Sequence, residues 1–200
     1  DPEARWWEAH RIHDASSLDK KTLGIDDRPE LIVLSGFLGS GKTTFLNHFI
    51  EVQQQYNRFT AVIQNELGEK GVDAYLLEND YSVMELDEGC VCCSLVGPLK
   101  SGIKQLLGEF HPDYIILETT GVANPANLLD EIIEIGESVR FDSVTTVVDA
   151  GTIRESLKRY KVSEEQIRVA DVIILNKVDG LDEAEIGAIR KILREYNPKG

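Results

Sequence analysis

A three-layer α/β fold, a mostly parallel sheet with helices on both faces, is predicted by three features of this sequence. Short β-rich runs alternate with helical patterns along the chain, the order expected when parallel strands are joined by crossover helices. Four of those runs, at 31–34, 114–117, 144–148 and 172–175, are almost continuously apolar or β-branched, as strands covered on both faces must be. A glycine-rich stretch at 36–44, Gly-Phe-Leu-Gly-Ser-Gly-Lys-Thr-Thr, joins the first run to an amphipathic segment at 45–54.

Taken in order, the pattern predicts strands near 31–35, 59–64, 82–86, 114–118, 143–148 and 171–175, and helices at 43–55, 98–110, 126–135, 151–160, 164–169 and 182–195. In the second helix Leu99, Ile103, Leu106, Leu107 and Phe110 recur at steps of three and four residues, which gives it one apolar side. Pro125 stands where a first helical turn tolerates a missing N–H, and Ser163 with Gln166 three positions on predicts a capping-box start. Residues 1–29 form an N-terminal extension before the domain proper at 30–200. Its Trp6 and Trp7 suit docking onto the domain or a partner. His10 and His13, with Asp14 beside them, have a spacing that a metal accepts, but a solvated helix face is the plainer reading. The chain starts at Asp1 and stops at Gly200 just after a predicted helix, where an alternating fold usually adds a strand, so a fragment of a longer chain is expected.

At 200 residues, 42% hydrophobic and 28% charged, the sequence describes one domain with enough chain to bury a core. A formal charge of -14 argues against nucleic acid or anionic membrane as the main partner, because both interactions depend on Lys and Arg neutralising phosphate. There is no apolar run long enough to span a bilayer and no basic-then-apolar leader, which makes the cytoplasm the expected address. All 3 cysteines fall at Cys90, Cys92 and Cys93, a cluster that cannot frame disulfides and suits a reducing compartment.

The stretch at 36–44 has the make-up of a phosphate-binding loop between strand and helix. Glycines Gly36, Gly39 and Gly41 allow a tight path, and the backbone N–H groups of Ser40, Lys42, Thr43 and Thr44 converge with the helix N-terminus on a region that favours a triphosphate. In such a loop Lys42 bridges the terminal phosphates and the Thr43 hydroxyl ligates Mg²⁺. The fold class is therefore that of a P-loop nucleotide-binding domain.

Asn176-Lys177-Val178-Asp179 follows the run at 172–175, at the carboxyl end of a predicted strand where open α/β sheets bind ligands. An Asp carboxylate accepts both the N1–H and the amine of guanine, whereas adenine offers an unprotonated N1, so Asp179 selects GTP over ATP. Asn176 is expected to tie this loop to the phosphate loop or the base edge, and the stem of Lys177 to cover the ring. Between these elements the run at 114–117 ends in Glu118-Thr119-Thr120-Gly121. Glu118 suits a Mg²⁺-facing carboxylate or one that orients the attacking water, and the Gly121 N–H suits a γ-phosphate sensor. Asp149 is a second strand-end carboxylate, either structural in its loop or close to the ligand.

Three thiolates at C-x-C-C spacing can reach one soft or borderline cation such as Zn²⁺, Co²⁺ or Ni²⁺, leaving a fourth position open. A redox pair is less attractive, because adjacent Cys92 and Cys93 make a strained disulfide, and inert buried cysteine is the remaining alternative. Asn65-Glu66-Leu67-Gly68-Glu69 lies where a mobile segment watches the γ-phosphate, with Glu66 and Glu69 as transition-metal ligands, Mg²⁺ contacts or surface acids.

The phosphate loop, N-E-L-G-E, G-C-V-C-C, E-T-T-G-V-A-N-P, V-V-D-A and N-K-V-D occur here in that order. Together they resemble the CobW-type family of P-loop GTPases, which is similar to the nickel-insertion GTPases that mature urease and hydrogenase. The resemblance implies a cytoplasmic metallochaperone or insertase that uses Mg²⁺ and cycles between GTP and GDP. It implies Cys90, Cys92 and Cys93 as the metal-binding triplet, Glu66 and Glu69 as the acidic switch motif, and a client metalloprotein as partner. Family members usually continue into a smaller C-terminal domain that helps choose the client, and residues 1–200 are expected to stop short of it.

The expected activity is slow hydrolysis of GTP to GDP and phosphate coupled to metal occupancy. Lys42, Thr43, Glu118 and Gly121 are the catalytic candidates. With no evident arginine finger or positioned glutamine, a partner, a second subunit in a homodimer, or bound metal is expected to complete the site. The alternatives are a P-loop ATPase or small-molecule kinase, and a non-catalytic metal-binding regulatory module.

Overall fold

Leu31, Ile32, Val33 and Leu34 are all buried in β1 (Glu30–Ser35), a strand with a neighbour on each side and helices above and below. The computed structural model describes residues 26–64, 83–85 and 96–200. Within them β1 is joined by β2 (Thr60–Gln64), β3 (Val83–Glu85), β4 (Tyr114–Glu118), β5 (Arg140–Asp149) and β6 (Val172–Asn176) in one sheet of order β3-β2-β4-β1-β5-β6. Every pairing is parallel. Parallel neighbours need crossovers, and these are α1 (Lys42–Gln55), α2 (Val96–Glu109), α3 (Ala126–Ile135), α4 (Ile153–Arg159), α5 (Lys161–Arg168) and α6 (Glu183–Tyr196).

The two-residue period of β1 distributes the helices. Leu31 and Val33 pack with Leu99, Ile103 and Leu106 of α2 and with Leu128 and Ile132 of α3. Ile32 and Leu34 pack with Leu46 and Ile50 of α1 on the opposite face. A third cluster joins Val148 to Ile153, Ile167, Ile189 and Leu193 of α4, α5 and α6. Each such aliphatic side chain contributes about 1.5–3 kcal/mol when fully buried, so the layers are held by the apolar runs that predicted them.

Three local expectations are corrected. The apolar run at 172–175 predicts a strand covered on both faces, yet among the described residues β6 pairs only with β5, at the sheet edge, and Val172 is 45% exposed. β5 starts at Arg140 instead of 143, because Arg140 and Phe141 pair with β1 ahead of a bulge between Leu31 and Ile32. Charged, exposed Arg140 and Asp142 flank Phe141 and break the apolar run there. α5 starts at Lys161 with Tyr160 as N-cap, so Ser163 and Gln166 lie inside the helix, buried, and form no capping box. The capping box belongs to α6, where Asp182 Oδ1 accepts from the Glu185 N–H at 2.8 Å and Glu185 Oε2 accepts from the Asp182 N–H at 3.0 Å.

Register aligns the carboxyl ends. Leu34 and Gln64 are both opposite Glu118, Ser35 is opposite Thr146, and Asp149 is opposite Asn176. The loops that follow β1, β4, β5 and β6 therefore open on one rim, the place where such sheets take ligands.

Candidate nucleotide site

The loop at 36–41 needs its glycines for different reasons. Gly36 has φ 145° and a side chain there would strike the Val147 carbonyl oxygen at 2.3 Å. Gly41, at φ 101° and ψ 26°, is the left-handed N-cap of α1, where a Cβ would lie 2.2 Å from Asn176 Nδ2. A residue with a side chain rarely adopts these angles. No side chain caps α1 and no acidic residue sits in its first turn, so its leading N–H groups and the positive end of its dipole face the loop. Thr43 and Thr44 are exposed in that turn.

Lys42 folds back so that its Nζ donates to the Gly36 carbonyl at 2.9 Å. Burial lowers its pKa from the usual lysine value, and the charge of Glu118 works in the opposite direction. Glu118 in turn accepts a hydrogen bond from Gln64 Nε2 at 2.7 Å. Glu118 and the Thr43 hydroxyl are hard oxygen donors, the chemistry that fits Mg²⁺.

The loop after β6 is joined to the phosphate loop by two side chains. Asn176 Nδ2 donates to the Ser40 carbonyl at 2.9 Å, and Lys177 Nζ donates to the Gly39 carbonyl at 2.6 Å. Lys177 has a left-handed backbone, φ 56°, and its ammonium also pairs with Asp149 at 2.8 Å. Asp149 accepts from the Gly151 N–H as well, at 2.8 Å, so this carboxylate anchors Lys177 and its own turn. Asp179 is exposed at the end of the same loop.

Gly121 packs on the phosphate loop so tightly that a Cβ on it would lie 2.7 Å from the Leu38 nitrogen. A turn closed by the Ala123 N–H on the Thr120 carbonyl, 3.0 Å, shapes this segment, and Thr119 is fixed to the Leu34 carbonyl through both its N–H and its hydroxyl. Gln64, which sequence pattern did not single out, joins the site through the β2–β4 register. Its position as the last residue of β2 was the available signal. Glu66, Glu69, Cys90, Cys92 and Cys93 lie outside the described residues, as do His10 and His13. Among the described residues no group of three or more His, Cys, Asp or Glu is placed to hold a metal ion. No helix there is long and apolar enough to cross a membrane.

A six-stranded parallel sheet with a glycine loop and an uncapped helix on its carboxyl rim defines a P-loop nucleotide-binding domain. The nucleotide-binding domain model of CobW/HypB/UreG matches residues 30–200, and the chain belongs to that family. It is 34% identical to the zinc chaperone YjiA of Escherichia coli over 76% of this chain and 50% of that protein. To the zinc-regulated GTPase metalloprotein activator 1 of Dictyostelium discoideum it is 30% identical, over 98% of this chain and 51% of that protein. The chain thus spans about half the length of these curated relatives. The crystal structure of Zn(II)-bound YjiA GTPase from E. coli superposes with a TM-score of 0.66 at 28% identity, covering 84% of this chain and 55% of that one. The hydrogenase maturation factor HypB of Archaeoglobus fulgidus shares the fold, with a TM-score of 0.58 at 18% identity over 86% of this chain and 78% of that one.

Proposed function

We propose that this chain is the GTP-hydrolysing part of a metallochaperone that carries zinc, or Co²⁺ or Ni²⁺ in its place, to a client metalloprotein. The carrying observation is the pair of hydrogen bonds from Asn176 and Lys177 to the carbonyls of Ser40 and Gly39, which ties the loop that carries Asp179 to the glycine loop on one rim. The zinc chaperone and GTPase names of its relatives support the same reading.

In this account the N–H groups of 39–44 and the α1 dipole hold the phosphates, and Lys42 leaves the Gly36 carbonyl to bridge the terminal ones. Asp179 reads the guanine edge. Thr43 and Glu118 would hold Mg²⁺, which when bound would neutralise charge on the phosphate oxygens. Gln64 orients the Glu118 carboxylate through its hydrogen bond, and the Gly121 N–H faces the γ-phosphate. Glu66 and Glu69 respond to that phosphate, and Cys90, Cys92 and Cys93 take the cargo metal. A partner or second subunit supplies what a slow intrinsic hydrolase lacks.

Phosphate release from GTP and from ATP in the presence of Mg²⁺, with each nucleotide competing against the other, tests this reading. GTP turnover that excess ATP fails to suppress is the expected result. Preference for ATP points to an ATPase or kinase, and binding without turnover under any metal condition to a regulatory module.

A further inference from the structure

We propose that Gln166, on α5 and 45 residues from Gly121 in sequence, is the positioning residue that sets where the Gly121 turn stands against the phosphate loop. The inference rests on the GTPase reading above and adds a residue to it.

Gln166 is 1% exposed. Its Nε2 donates both hydrogens to one loop, to the Gly121 carbonyl at 3.2 Å and the Ala123 carbonyl at 2.9 Å. The residue is itself held, because its own backbone carbonyl accepts from Thr146 Oγ1 of β5 at 3.1 Å. Its neighbour Glu165 takes a further bond from the same loop, accepting from Asn124 Nδ2 at 3.1 Å, while Asn124 Oδ1 caps the Ala126 N–H at 2.9 Å. Two successive residues of α5 therefore grip the segment between β4 and α3. On its far side that segment meets Leu38, where there is no room for a Cβ on Gly121.

The turn is thus clamped between a helix and the phosphate loop, and the clamp on the helix side is a buried amide. A buried carbonyl that loses its donor is costly, and the backbone moves to recover a partner. A shift of the Gly121 peptide changes the fit of its N–H to a γ-phosphate. GDP has no such group, and its grip, made at 36–44 and Asp179, takes no hydrogen bond from Gln166, so the change falls chiefly on the γ-phosphate. Gln166 touches no nucleotide in this scheme and acts only through Gly121.

The test uses the full chain and three measurements: kcat for GTP, affinity for GDP, and affinity for a non-hydrolysable GTP analogue. Gln166→Met keeps the volume and removes both donors. We expect it to hold GDP affinity within about twofold, while kcat and the analogue-to-GDP affinity ratio each fall about tenfold or more, the size of effect a lost buried hydrogen bond carries. Ser163→Ala, a buried change on the same helix, should match the wild type in all three. An unchanged ratio and kcat in Gln166→Met, or a parallel loss of GDP affinity, overturns the positioning role. Should that variant not fold, the wild-type Gln166 side-chain amide resonances decide: they shift between the GDP and analogue states if the clamp senses the γ-phosphate, and identical spectra overturn the proposal. A wild-type chain that neither binds nor hydrolyses GTP defeats the underlying reading as well, whereas active wild type with an indifferent Gln166→Met defeats this inference alone.

Discussion

Asn176 Nδ2 donates to the Ser40 carbonyl at 2.9 Å, a bond between two loops that are distant in sequence and expected to hold opposite ends of one nucleotide. The same amide nitrogen is the atom that a Cβ on Gly41 would strike. One side chain therefore sets the spacing of the two loops and leaves no clearance behind it.

Removing that side chain should loosen both loops. Asn176→Ala leaves the Ser40 carbonyl without its donor, and the expected loss of GDP affinity is about 1–3 kcal/mol. Calorimetric titration measures it, and affinity equal to wild type would show that the bond does not organise the site.

The glycines should rank by space as well as by φ. Gly39 has φ 73° with nothing within 4 Å of its Cβ direction, so Gly39→Ala carries only the left-handed penalty of about 1–2 kcal/mol. Gly41→Ala adds a collision with Asn176 and should weaken GDP binding further, beyond tenfold relative to Gly39→Ala, by about 1.4 kcal/mol or more. Equal affinities for the two variants would contradict the packing argument.

Base choice should rest on Asp179, an exposed residue at the end of the β6 loop. Asp179→Asn is expected to lower GTP affinity about 10- to 100-fold, as loss of a charge-assisted pair does. Thermal stability should hardly move, because a surface substitution is worth about 0.5 kcal/mol or less. Retained preference for GTP over ATP in this variant would assign guanine reading elsewhere.

Lys42 makes a prediction about pH. Its pKa in the folded chain is lowered by burial from the usual 10.5, against the pull of Glu118. The folded state then binds fewer protons than the unfolded state between the lowered value and 10.5, so stability rises with pH across that window, and the penalty for charging Lys42 is fully present below it. Chemical denaturation without nucleotide should show wild type gaining on Lys42→Met as pH climbs through this range. A constant difference between the two would mean that the ammonium is not penalised by burial.

How much of this was legible in the sequence differs between parts of the molecule. β1, β4 and the buried stretch of β5 announced themselves because strands covered on both faces carry an unbroken apolar signal. β6 carried that signal too, and its place at the sheet edge was invisible because strand order is a tertiary property. Ser163 and Gln166 matched a capping-box pattern, but Gln166 instead donates across the structure to the Gly121 turn. Local spacing cannot report such a partner. The site followed the same division. Lys42, Thr43, Asn176 and Asp179 were readable from contiguous motifs, whereas Gln64 and the anchoring role of Asp149 depend on register between strands. The cysteine cluster is legible only in the sequence, where its three thiols fall within four positions.

The claim that nucleotide state governs metal binding is tested most directly by measuring Zn²⁺ affinity of the full chain with GDP and with a non-hydrolysable GTP analogue. Because coupling between two ligands is reciprocal, the same factor must appear when nucleotide affinity is measured with and without zinc. Zn²⁺ affinities should differ between the two nucleotide states by about five- to 150-fold, the usual range for coupled sites, with the difference lost when Cys90, Cys92 and Cys93 are replaced by serine. Identical Zn²⁺ affinities in the two states would contradict that coupling.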